Sequence, residues 1–176
     1  MTTFGFGLNS TQCPARPPSA AGDGAAGGTG TLAQAVQAAA RRLDDRKLIP
    51  VARHSQGLAS HPKALLALIS YSYARQIYSS AQVQAQLQHD LNARGIYGSE
   101  VPDADTIRTF CRENHDALQF CLLAGLRFLA EQKVAQGTVT KVCETQLADE
   151  ASRRITMAMF TDTMELKPQP NEDFTV

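Results

Sequence analysis

From Leu32 to about Leu166 the apolar residues return with helical spacing in six segments, which predicts an all-α fold. Thr31 is a candidate cap for the first, whose positions Leu32, Val36, Ala39 or Ala40 and Leu43 repeat before Arg46, Lys47 and the breaker Pro50. The second opens at His61-Pro62, where a missing proline N–H costs nothing, and carries Leu65, Leu66, Leu68, Ile69, Tyr73 and Ile77 in a broad stripe. Tyr71, Tyr73 and Tyr78 are expected at the rim of the core. Ser79-Ser80 caps the third, a surface helix with the narrow stripe Val83, Leu87 and Leu91, and Gly95 suits the left-handed position that ends it. Asp105 is the expected cap of the fourth, in which Ile107, Phe110 and Cys111 face inward. The fifth, Leu118 to Gln136, is apolar on more than one face through Phe120, Leu122, Leu126 and Leu129, as suits a helix central to the core or shared with a second subunit. Gly137 ends it. After a short extended piece over 139–144, a last helix over 145–166 carries Leu147, Ala151, Ile155, Ala158 and Met159, with Arg153 and Arg154 on its other side.

The segment before Leu32 differs in kind. Met1 to Gly30 is rich in Gly, Pro, Ala, Thr and Ser and has Arg16 and Asp23 as its only charges, too little apolar surface to offset the entropy of ordering, so disorder is expected. Its glycine cluster lacks the Gly-Lys-Ser/Thr ending of a phosphate loop. The predicted organisation is therefore a disordered Gly/Pro-rich stretch (1–30), an amphipathic helix and linker (31–59), a small helical domain (60–137), and a C-terminal helix with a loose tail (138–176).

Charge narrows the functional classes. With 17 basic and 17 acidic residues, no global field draws the protein to nucleic acid or to a membrane, and any nucleic-acid contact must come from a local patch. The most basic stretch, Arg41, Arg42, Arg46, Lys47 and Arg53, is interrupted by Asp44 and Asp45 and reads as a solvated helix face ahead of a phosphate-binding arm. Cys13, Cys111, Cys121 and Cys143 form no CxxC pair, which speaks against a zinc site and for reduced thiols. Neither a signal-peptide pattern nor a stretch near the roughly 18 apolar residues of a membrane span occurs, so no membrane partner and a cytoplasmic location are expected.

Candidate chemistry concentrates between Ser79 and His115. Two short helices joined by a Gly-containing connection and preceded by a third are the parts of a helix-turn-helix core, an arrangement that reads DNA in some proteins and is plain scaffold in others. On the helix from Asp105 the outward set is Arg108, Thr109, Arg112, Asn114 and His115; Arg suits guanine or phosphate, Asn suits adenine, and Thr suits either. Ordinary solvation produces the same set. Lys63 and Arg75 are candidate phosphate contacts. The late acids Asp149, Glu150, Asp162 and Glu165 read as the solvated face of the last helix, so no catalytic residue, metal ligand or cofactor is assigned.

Several of these residues fall in a recognisable order. His61-Pro62-Lys63, Leu65-Leu66, Tyr71, Tyr73, Ile77-Tyr78-Ser79-Ser80, and Pro102-Asp103-Ala104-Asp105-Thr106-Ile107-Arg108-Thr109-Phe110 with Arg112-Glu113-Asn114-His115 resemble the N-terminal (InsH-type) domain of bacterial insertion-sequence transposases. The resemblance covers roughly 60–136. It implies a helical domain that binds the element's terminal DNA and helps assemble the transposase, while a separate RNase H-like domain carries three carboxylates that hold two divalent metals. This chain departs from that pattern after Gln136, where no room for such a fold is expected, and at Cys111, where the family often has a basic residue. The expectation is a non-catalytic DNA-binding module of a transposase, with double-stranded DNA as partner and the helix from Asp105 to about Asn114 as its reader. The alternatives are a helical interaction protein that self-associates or docks to a separately encoded catalytic subunit, and a decayed transposase fragment.

Overall fold

Residues 30–49, 61–98 and 100–166 are described in the structure, a computed structural model. Among the described residues the chain forms α1 (Leu32–Arg42), a 3-10 turn (Asp45–Lys47), α2 (Pro62–Ala74), α3 (Ser80–His89), α4 (Leu91–Tyr97), α5 (Ala104–Glu113), α6 (His115–Ala135) and α7 (Glu144–Glu165), with no strand. The fold is all-α, as the periodicity requires. The expectations for the first 29 residues, the linker at 50–60 and the tail after Leu166, together with Cys13 and Arg53, lie outside the described residues.

Local chemistry accounts for most helix ends. Thr31 and Gln34 form a reciprocal capping box at α1, with Gln34 N–H donating to Thr31 Oγ1 at 3.3 Å and Thr31 N–H to Gln34 Oε1 at 2.9 Å. Pro62 opens α2, which is buried without a break from Leu65 to Ala74 and packs on α1, α4, α6 and α7. The C-termini of α2 and α6 close in the same way. Gln76 (φ 66°) after α2 and Gly137 (φ 72°) after α6 take the left-handed position, and the N–H groups of Ile77 and Thr138 reach back to Ser72 O at 3.0 Å and Lys133 O at 2.9 Å. Where α6 crosses α1 it carries Gly125, and a Cβ there would lie 2.9 Å from Val36 Cγ1, so only glycine admits this approach. One core cluster runs from Ala33 in α1 to Ala158 in α7.

The third expected helix is two. Asp90 breaks it: Oδ1 accepts the N–H groups of Asn92 (2.8 Å) and Ala93 (3.3 Å), and α4 starts afresh at Leu91. A short carboxylate gives those N–H groups an alternative to the next helical carbonyl. Gly95 consequently lies inside α4, and Gly98 (φ 105°) follows its end. Arg94 reaches back to the end of α3, donating to Leu87 O at 2.6 Å and Gln88 O at 2.5 Å. The cap of α5 is Asp103, whose Oδ1 accepts Thr106 N–H at 2.6 Å, and Asp105 sits in the first turn. Residues 139–143 form an irregular connection instead of an extended piece.

The largest correction concerns α7. Arg154, expected on the solvent side, is 6% exposed, and Asp162, expected on a solvated face, is 3% exposed. Nη1 of Arg154 donates to Tyr73 O (2.9 Å) and Ala74 O (2.7 Å), the last carbonyls of α2, while its Nε donates to Glu150 (2.7 Å). Two turns further on, Asp162 accepts from Ser80 N–H (2.8 Å) and Ser80 Oγ (2.6 Å) at the start of α3, and Glu165 accepts from Ser79 Oγ (2.7 Å). Cation meets helix C-terminus and anion meets helix N-terminus, as the backbone dipoles demand.

Removing Arg154 leaves the buried Ala74 carbonyl, and removing Asp162 the buried Ser80 N–H, without that partner. Arg154→Ala is expected to cost about 3 kcal/mol and to lower the melting temperature by roughly 8 °C, and Asp162→Ala about 2 kcal/mol. Thermal unfolding followed by circular dichroism checks both, and unchanged melting temperatures would show that this contact does not hold α7.

Candidate nucleic-acid interface

α5 owes its position to its buried side. Ile107, Phe110 and Cys111 are sealed against α3, α6 and α7, and the Tyr73 hydroxyl lies 3.3 Å from Cys111 Sγ. Burial pushes both the Cys111 and the Cys121 thiols up to about 12, so they are core residues and not nucleophiles. Among the described residues no group of three or more His, Cys, Asp or Glu side chains is arranged to hold a metal ion.

The outward set divides under inspection. Thr109 and Arg112 are exposed, and Arg112 makes no ion pair among the described residues. Arg108 pairs with Asp105 one turn earlier, and only 12% of its side chain is exposed. Its Nε is buried with no hydrogen-bond partner, beside a 40 Å³ cavity that Met159, Asp162 and Thr163 of α7 help to line. Asn114 faces inward, against expectation. It is 4% exposed; Oδ1 accepts Ile49 N–H at 2.7 Å, and Nδ2 donates to Ile49 O at 3.0 Å and Phe110 O at 3.1 Å. An amide is suited to this place because it satisfies one backbone N–H and two carbonyls at the bend between α5 and α6.

Lys63 and Arg75 occupy opposite ends of α2, about 18 Å apart along the helix. Lys63 Nζ lies 3.0 Å from Asp45 Oδ1 on the 3-10 turn. Arg75 pairs with Asp90, donates to the Tyr71 hydroxyl at 3.0 Å, and places its guanidinium carbon 5.3 Å from the centre of that ring. Partial burial pushes the Asp90 carboxyl up, but hydrogen bonds from Gln86, the N–H groups of Asn92 and Ala93, and Tyr71 outweigh it and leave the group below its usual value.

The residues that sequence reasoning missed are Arg154 and Asp162. The signal was present: Ala151, Arg154, Ile155, Ala158 and Asp162 share one face of α7 by spacing, so the helix carries its charges within its apolar stripe.

Residues 36–113 match the family model described as Transposase domain (DUF772). The segment is transposase-related. This transposase-related segment begins within α1 and ends with α5; α6 and α7, with the charges that hold α2 and α3, follow it. No curated protein and no solved structure matches the chain. Among the described residues no helix is long and apolar enough to cross a membrane.

Two variants test the assignments made from geometry. Asn114→Ala is expected to destabilise the fold by about 2 kcal/mol in denaturant titration, because the Ile49 backbone groups lose their partner. Asp90→Ala is expected to cost about 2 kcal/mol at neutral pH. Because the folded carboxyl titrates below its usual value, that stabilisation is present above about pH 4 and is lost as pH falls through the folded value. Wild type and variant should therefore converge in acid, as read from melting temperatures across a pH series.

Proposed function

We propose that this protein binds double-stranded DNA as the non-catalytic part of a transposition apparatus, with α5 as the contacting helix. The observation that carries the reading is the match of residues 36–113 to a transposase domain whose last helix, α5, presents exposed Thr109 and Arg112 opposite a fully buried Ile107 and Phe110. In this reading Arg112 meets phosphate or a guanine edge, Thr109 is a lesser contact, and Arg108 lies at the covered end beside α7. Asn114 positions the backbone at Ile49 and does not reach a base. Lys63 stands on the side of α2 linked to the 3-10 turn, whereas Arg75 is held by Asp90 and Tyr71 and supports the start of α4.

The late carboxylates support assigning strand cleavage to another domain or subunit. Glu150 is bound to Arg153 and Arg154, Asp162 to Ser80 and Glu165 to Ser79, each in an intramolecular role, and Asp149 is exposed on the same helix. A second reading, a protein-docking helix, has its own observation: Met157, Phe160 and Met164 are 42%, 58% and 50% exposed, at helical spacing on the face of α7 opposite its packed side. A concentration-dependent mass in light scattering is what this second reading requires.

Fluorescence anisotropy with short duplexes tests the first. The wild-type chain is expected to bind a duplex carrying the ends of its element more tightly than a scrambled one, and Arg112→Ala to weaken that binding about tenfold. Absence of binding to any duplex at low salt would defeat the proposal.

A further inference from the structure

A chain with no net charge needs a local concentration of cations to meet a phosphate backbone, and α5 alone offers few. The structure supplies a second set beside it. The two-way bond between Asn114 and the backbone of Ile49, at 2.7 and 3.0 Å, fixes the end of the 3-10 turn against the C-terminal end of α5. Lys47 is two residues before Ile49, and Arg112 two residues before Asn114, so each backbone position lies within about 7 Å of that junction. The Lys63–Asp45 pair, at 3.0 Å, then ties the same turn to the start of α2. Arg41 and His61 stand with Lys63 around a groove of about 280 Å³ whose floor includes Ala64, Ala67 and Ile96.

We propose that Arg41, Arg46 and Lys47 form a basic track at the C-terminal end of α5, flanked by the Lys63–Asp45 pair, that follows the sugar-phosphate backbone of the duplex held by α5. The inference rests on the DNA-binding reading above and deepens it. Arg41, Arg46 and Lys47 are exposed, and the two acids among them are engaged locally: Asp44 accepts Arg46 N–H at 3.1 Å, and Asp45 holds Lys63. The small floor of the groove lets a phosphodiester approach the flanking cations. Contacts of this kind carry no base information, so the track sets register and affinity while α5 supplies selectivity.

The test uses the full chain and anisotropy titrations against element-end and scrambled duplexes over a series of salt concentrations. The triple variant Arg41→Ala, Arg46→Ala, Lys47→Ala is expected to bind both duplexes about tenfold more weakly, and the slope of log affinity against log salt should fall by about 0.9 for each contact removed. Lys141→Ala, beyond the far end of α6, is the control and should change nothing. If the wild type binds and the triple variant keeps its slope and affinity while Arg112→Ala weakens binding, the track is refuted and the α5 reading stands. A loss confined to the element-end duplex would refute the backbone assignment by showing base readout instead. If the wild type binds no duplex, both readings fall together.

Discussion

An arginine and an aspartate eight residues apart on α7 meet two backbone ends that face one another, the C-terminus of α2 and the N-terminus of α3. The connection between those helices is only residues 75–79, and it is half-buried, so their terminal carbonyls and N–H groups cannot all turn to water. Each charge therefore serves twice, as the partner of orphan backbone groups and as the complement of a helix dipole. The order of the two charges also fixes the register of α7. A shift of two turns would set Arg154 against the N–H groups it must avoid, and a shift of one would set Ala158 and Leu166, or Glu150 and Ala158, where the two charges stand.

The same device recurs through the middle of the chain. Arg94 of α4 closes the end of α3, Asp90 opens α4 while holding Arg75, and Asp103 opens α5. Short connections between short helices leave many ends within contact of other elements, and charged or hydrogen-bonding side chains satisfy them where solvent does not reach. The cost of burying Arg154 is offset because its donors meet carbonyls on one side and the Glu150 carboxylate on the other. Apolar packing of α1, α2 and α6 then operates on helices whose ends are already placed, with Gly125 allowing α6 to approach α1.

This arrangement decides which cations are available for an external partner. Because α7 is drawn against α5, Arg108 is covered and its Nε lacks a partner, whereas Arg112, one turn on, stays open. Because Asn114 turns inward to the backbone of Ile49, the basic residues of the 3-10 turn are carried to the end of α5 instead of trailing from α1. Exposure on this surface is a product of packing between elements far apart in the chain.

Much of the architecture was legible from the residues alone. Thr31, Pro62, Ser79 and Gly137 mark helix ends through chemistry that acts within a few residues, and the stripes of α2, α5 and α6 follow from spacing. The transposase resemblance rested on such local order too, and residues 36–113 match that family. The inward turn of Asn114, the screening of Arg108 and the roles of Arg154 and Asp162 were decided by tertiary structure. Their partners sit far off in sequence: Ile49 for Asn114, Tyr73 and Ala74 for Arg154, Ser80 for Asp162. Periodicity states which face of a helix is apolar, but a charge within that face declares its purpose only when the chain folds and brings the distant backbone end to it.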